Sequence, residues 1–113
     1  MTEDYDLSNA PSRLKSLIEQ IFNDIPTVQL LVAQIVPSAN QTFNDKIQTF
    51  NAAIPDLVSF EQAQGYNVNL VDMNSALTQN DLFDDIHPTQ SGYDKMADVW
   101  STALEPLLPL AYK

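Results

Sequence analysis

The only histidine of the chain, His87, stands in the stretch Asp84-Asp85-Ile86-His87-Pro88. On a turn, an Asp-x-x-His spacing lets the first carboxylate fold back onto one imidazole nitrogen. That contact fixes the tautomer and steadies the positive charge that develops when the ring takes a proton. Pro88 disfavours helical dihedrals at His87 and so pins an extended backbone at the base. The other ring nitrogen is left to face a nucleophile. His87 as general base and Asp84 as its orienting acid are therefore the candidate catalytic residues, while Asp85 needs no catalytic role. The plainer alternative is that Asp84 and Asp85 are solvated loop charges and His87 a surface residue near a helix start, because so short a motif has many chance matches.

A base requires a group to activate, and the chain offers no convincing one. Ser91 is the serine nearest in sequence to His87, but it lies at a helix start, where capping is its ordinary role. It also lacks the sharp strand-to-helix turn that presents a nucleophile. Asp72, Asp81, Asp84, Asp85 and His87 carry oxygen and nitrogen donors, yet calcium loops alternate more tightly and zinc sites use more nitrogen or sulfur. Neither a metal nor a cofactor is expected. Tyr93, Met96 and Trp100 read as core rather than as a sugar platform, and no pattern assigns Tyr5 or Tyr112 to a substrate or partner.

The elements that must position His87 follow from periodicity. Leu14, Leu17, Ile18, Ile21, Phe22 and Ile25 line one stripe of a helix, with capping side chains and a first-turn proline in "SNAPS" and a stop at Pro26. "VQLLVAQIVP", residues 28–37, is a continuous apolar run that predicts a buried strand with cover on both faces. Phe43, Ile47, Phe50, Ile54, Leu57 and Val58 form a second helical stripe closed by Gly65. Pro55 inside that stripe predicts a bend or break near Ala53. "YNVNLVDM", residues 66–73, is a second strand. A last helix opens between Thr89 and Gly92, carries Tyr93, Met96, Ala97, Trp100 and Leu104 on one face, and ends before Pro106 and Pro109.

The order helix, strand, helix, strand, loop, helix predicts an α/β fold with a parallel sheet and right-handed crossovers. Two strands are too few for such a sheet, and the first lacks a neighbour on one side, so part of the sheet must come from another chain or from upstream residues.

Length and composition bound the rest. A chain of 113 residues holds a single domain, 1–113. Fifteen acidic residues against five basic ones give a net charge of -10, which repels nucleic-acid backbones and anionic membrane surfaces. No cysteine is available for disulfides or thiolate sites. No apolar run reaches transmembrane length, and "MTEDYDLSNAP" has neither the basic nor the apolar region of a signal peptide. The sequon Asn40-Gln41-Thr42 is compatible with a secretory route, although such matches arise by chance.

The passage "VNLVDMNSALTQNDLFDDIHPTQSGYDKMADVW" resembles the last block of the SGNH hydrolases, also called GDSL-type lipases and esterases. In these a late strand is followed by Asp-x-x-His-Pro and then by a helix often opened by Gly-Tyr, as Gly92-Tyr93 is here. "VQLLVAQIVP" resembles the family's penultimate strand, and "FNAAIPDLVSFEQAQGYNVNLVDM" its kinked helix and final strand. The variety most resembled is that of the secreted carbohydrate acetyl esterases, including those acting on acetylated xylan.

The resemblance implies the C-terminal half of a flavodoxin-like three-layer fold, with only the last two strands and three helices present. It also implies a serine-ester hydrolase in which His87 is the general base and Asp84 its partner, an extracellular setting, and an acylated carbohydrate as substrate. The family's Gly-Asp-Ser nucleophile block and Gly-x-Asn-Asp block match nothing in this chain, whose only two glycines are Gly65 and Gly92. The implied partner is therefore an N-terminal half carrying the serine and oxyanion donors, and this chain alone is expected to be inactive. A different class of reading, a non-catalytic interaction or binding module that keeps part of the fold, is motivated by the absent serine and the unpartnered strand edge.

Overall fold

The computed structural model describes residues 7–109, and the expectations for Tyr5 and Tyr112 lie outside them. Helix α1 spans Ala10–Asp24 with Pro11 in its first turn, where a missing N–H is harmless. Asn9 stands at its N-cap without a side-chain capping bond. Strand β1 is Leu30–Ala33, shorter than the apolar run that contains it. Helix α2 spans Gln41–Ala63, and the Asn40 side chain caps it by accepting from Phe43 N–H at 3.0 Å. Strand β2 is Val68–Val71, and helix α3 is Gln90–Leu104.

The two strands pair in parallel, with Leu30 opposite Val68 and Ala33 opposite Val71. Helices α1 and α2 cover one face. There Ile18 and Phe22 from α1, Ile54, Leu57 and Val58 from α2, and Val32 and Val68 from the sheet form the core. Tyr66 stacks on Phe22 with ring centroids 4.5 Å apart and packs against the edge of this core. Gly65 ends α2 at φ +90, a left-handed conformation that a β-carbon would strain, and hands the chain to β2.

The expected break at Pro55 does not occur, and α2 runs through it. Proline removes the N–H that would bond the carbonyl of Asn51 four residues earlier. That carbonyl instead accepts from Gln34 Nε2 at 3.3 Å, so the orphaned acceptor finds a partner on the segment after β1.

Cover on both sheet faces is not completed either. The face of α3 expected to be core is largely open, with Tyr93 at 49%, Trp100 at 39% and Leu104 at 45% exposure. An apolar groove lined by Leu31, Leu104, Leu107 and Leu108 runs between β1 and the end of α3. The molecule is a slab 39 × 36 × 19 Å with a radius of gyration of 15.3 Å, wider than the roughly 13 Å of a compact domain of about 100 residues. Among the described residues no helix is long and apolar enough to cross a membrane.

Glu61 of α2 is fully buried, and among the described residues neither of its carboxylate oxygens has a hydrogen-bond partner. Lys15 Nζ approaches it at 3.8 Å but is committed to Glu19 at 2.7 Å. Desolvation, reinforced by the Glu19 carboxylate, pushes the Glu61 carboxyl above its ordinary range. A raised folded value means that the favourable protonated form is present below the unfolded carboxyl range, near pH 4, and is lost as pH rises through the folded value. Glu61→Gln is therefore expected to raise the thermal midpoint at pH 7, with the gain shrinking toward pH 4, as read by circular dichroism melts across that range.

Candidate active site

The loop between β2 and α3 is built from its ends inward. A capping box at Thr78 and Asp81 starts it, with Asp81 Oδ2 accepting from the Thr78 N–H at 2.9 Å. Lys95 reaches back from α3 to Asp81 Oδ1 at 2.7 Å, and the Asp81 carbonyl accepts from Thr89 N–H at 2.7 Å. The Lys95 ammonium, followed by the Thr78 bond, holds the Asp81 carboxyl below the usual carboxylate range. Gly92 makes this closure possible, because a β-carbon there would lie 2.7 Å from the Asp81 carbonyl oxygen and 3.0 Å from Pro88 Cβ. Thr89, rather than Ser91, caps α3 by accepting from Gly92 N–H at 3.1 Å.

Within that frame Leu82 bridges Pro88, and Phe83 N–H donates to the His87 carbonyl at 3.0 Å, closing residues 83–87 into a turn. Asp84 fills the turn. Its Oδ1 accepts from the N–H groups of Ile86 at 2.8 Å and His87 at 2.6 Å, and its Oδ2 lies 2.7 Å from His87 Nδ1. The carboxylate thus holds both the backbone and the ring of His87. Acceptance from Ile86 N–H, then from His87 N–H, keeps the Asp84 carboxyl below its ordinary range.

An anionic acceptor facing Nδ1 requires that nitrogen to carry the proton of a neutral ring, which places the basic lone pair on Nε2. Both side chains remain accessible, at 56% exposure for His87 and 43% for Asp84. The Phe83 ring lies beside the imidazole, with centroids 5.7 Å apart and planes at 23°, and is itself 70% exposed. The chemistry available is acceptance of a proton at Nε2 by a base whose developing charge is steadied from the opposite side.

The sequence-derived pair His87 and Asp84 is thus brought together, whereas Asp72 and Asp81 are not drawn in. Asp72 Oδ1 accepts from Ser75 N–H at 3.3 Å, and Asp81 is taken up by Thr78 and Lys95. Asp85 contributes through its main chain, since its carbonyl accepts from Ser38 Oγ at 2.8 Å and Ala39 N–H at 2.9 Å. Sequence reasoning missed Ser38 because 47 positions separate it from Asp85. Phe83 was also missed, although an aromatic residue immediately before the acid was a visible cue.

A turn of this form, following the second of two parallel strands and preceding a Gly-Tyr helix, can be compared with known proteins. The model of the GDSL-like lipase/acylhydrolase family matches residues 4–100. The chain belongs to that family.

A curated protein of Acetivibrio thermocellus, "Putative endoglucanase X", is 31% identical over 90 residues, covering 77% of this chain and 38% of its own length. A solved family 3 carbohydrate esterase of Clostridium thermocellum superposes with a TM-score of 0.76 at 28% identity, over 94% of this chain and 53% of the esterase. A second family 3 carbohydrate esterase, from Talaromyces cellulolyticus, gives a TM-score of 0.78 at 22% identity over 89% of this chain and 49% of its own, a likeness of fold. The chain spans about half the length of these solved structures. Its α/β architecture, a parallel two-stranded sheet with three helices, is that of the C-terminal part of the SGNH fold.

Two outcomes are expected of this GDSL-family site. Nitrogen-15 NMR of the single imidazole should show the neutral ring protonated on Nδ1, and Asp84→Asn should shift it to a mixture of tautomers. Gly92→Ala should destabilise the fold by roughly 1–3 kcal/mol in urea unfolding, the usual range for overpacking against backbone that cannot move aside.

Proposed function

We propose that this chain supplies the base and its orienting acid to a serine esterase that removes acetyl or other short acyl groups from carbohydrates. The observation that carries the reading is the 2.7 Å contact between Asp84 Oδ2 and His87 Nδ1 in an accessible turn after the last strand. Membership of the GDSL-like family and likeness to family 3 carbohydrate esterases support the reaction class.

The chemistry runs as follows. A serine hydroxyl, carried by a segment outside these residues, hydrogen-bonds to His87 Nε2. As its oxygen attacks the ester carbonyl, the proton passes to Nε2, and Asp84 stabilises the imidazolium through Nδ1. As the bond between the acyl carbon and the sugar oxygen breaks, the same proton passes to that oxygen, which departs as a hydroxyl and leaves an acyl-serine. Water, deprotonated by the freed Nε2, then attacks the acyl-serine; the ester bond to serine breaks, the carboxylic acid leaves, and Nε2 returns the proton to the serine oxygen. His87 and Asp84 end each cycle unchanged.

On this reading the open edge of β1 and the uncovered face of α3 receive the N-terminal half of the same hydrolase, which adds the serine, the oxyanion donors and further strands. Phe83, beside His87 and well exposed, would form part of the wall met by the leaving sugar. Secretion accords with a polysaccharide substrate.

The test is reconstitution. This chain alone is expected not to hydrolyse a short-chain nitrophenyl ester, whereas a complex with a segment carrying Gly-Asp-Ser hydrolyses it and deacetylates xylo-oligosaccharides. His87→Ala in that complex should lower kcat by about 10⁶-fold and Asp84→Asn by about 10⁴-fold. Undiminished turnover in His87→Ala would refute the assignment.

A further inference from the structure

We propose that Ser38 is a positioning residue for His87, tying the histidine turn to the end of β1 through the carbonyl of Asp85. The proposal rests on the esterase reading for its chemical meaning. Its geometry stands independently.

The internal shape of the turn is set locally by Asp84. Its place relative to the sheet is not, because a self-contained turn can swing as a unit. On the α3 side the Lys95 and Thr89 bonds to Asp81 anchor the loop. On the β1 side the contact is made by residues 38 and 39. Ser38 is 1% exposed, its Oγ donates to the Asp85 carbonyl at 2.8 Å, and Ala39 N–H donates to the same oxygen at 2.9 Å. Both lone pairs of that carbonyl are engaged from one strap.

The strap itself, residues 34–40, is held rigidly despite having no regular structure. Asn51, 3% exposed on α2, donates to the Ile35 carbonyl and accepts from the Ile35 N–H, both at 2.8 Å. Asn74 donates to the same carbonyl at 2.9 Å, and Asn44 Oδ1 accepts from Ser38 N–H at 3.1 Å. Ser38 Oγ also accepts from Asn40 N–H at 3.1 Å, which fixes the direction in which its own hydrogen points. Three asparagine side chains, together with the backbone N–H of Asn40, therefore hold the strap and the serine whose hydroxyl addresses the histidine turn.

Proton transfer between a hydroxyl and Nε2 requires heavy atoms within about 3 Å, and misplacement by 1 Å can cost about 10²-fold. A nucleophile arriving from another part of the sheet meets His87 only if the turn is fixed to that sheet. The bond from Ser38 supplies that link, and it explains why a buried hydroxyl is spent on the carbonyl of a residue with no chemical role of its own.

The test uses this chain, whose single histidine and single tryptophan give separate reporters. In Ser38→Ala, backbone order parameters over residues 84–87 should fall from about 0.85 to below about 0.6, while the Trp100 indole resonance stays in place. Ser38→Thr should restore them, and Asp85→Ala, which keeps the carbonyl, should leave them unchanged. In the reconstituted esterase, Ser38→Ala should lower kcat by about 10–100-fold with KM unaltered. Unchanged order parameters in Ser38→Ala would overturn the proposal. So would a joint loss of the turn and Trp100 signals, which marks a general structural role. Order parameters that behave as stated, in a complex without hydrolytic activity, would defeat the esterase reading and sustain the link between Ser38 and the turn.

Discussion

Three hydrogen bonds converge on the carboxylate of Asp84, two from backbone N–H groups and one from the imidazole of His87. An ionised carboxylate accepts such bonds about twice as strongly as a neutral acceptor, so this one group fixes the course of the backbone and the orientation of the ring together. The dependence also has a pH sign. Because the Asp84 carboxyl is held below its ordinary range, the turn gains this support above about pH 4 and loses it as pH falls through the folded value. Around it, the surrounding loop serves to present His87. Gly92 allows close approach, Asp81 joins Thr78, Thr89 and Lys95, and the Asp85 carbonyl receives the strap after β1.

Among the described residues the remainder of the architecture leaves apolar surface open. Among the described residues the two-stranded parallel sheet gives β1 a strand partner on one side alone, and an open edge is normally covered or extended. Helix α3 turns Tyr93, Trp100 and Leu104 outward, and the groove beside Leu31 is apolar. These features have a common geometric origin in the flatness of a slab with one well-packed face.

Much of this was legible in the sequence where the determining contacts are local. The pairing of Asp84 with His87 needs only a turn and a spacing of three. The helix stripes at Ile18 and Phe22, or Ile54, Leu57 and Val58, needed only periodicity, and Gly65 marked its helix end. What escaped depends on contacts across the chain. Pro55 predicts a bend or a break, and no break occurs because Gln34, distant in sequence, takes up the freed Asn51 carbonyl. Ser38 has no local signal, because its partner Asp85 belongs to another loop. The outer face of α3 reads as core because its apolar spacing is that of a buried helix, whatever buries it.

The central claim is that the imidazole of His87 serves a hydroxyl located outside this chain. The most direct measurement is the rate at which a fluorophosphonate labels serine in a complex of this chain with a Gly-Asp-Ser segment, with the modified residue located by mass spectrometry. The account predicts one labelled serine, in the added segment, reacting at a rate that collapses when His87 is replaced by alanine. Labelling of Ser91 or another serine of this chain, or a rate indifferent to His87, would contradict it.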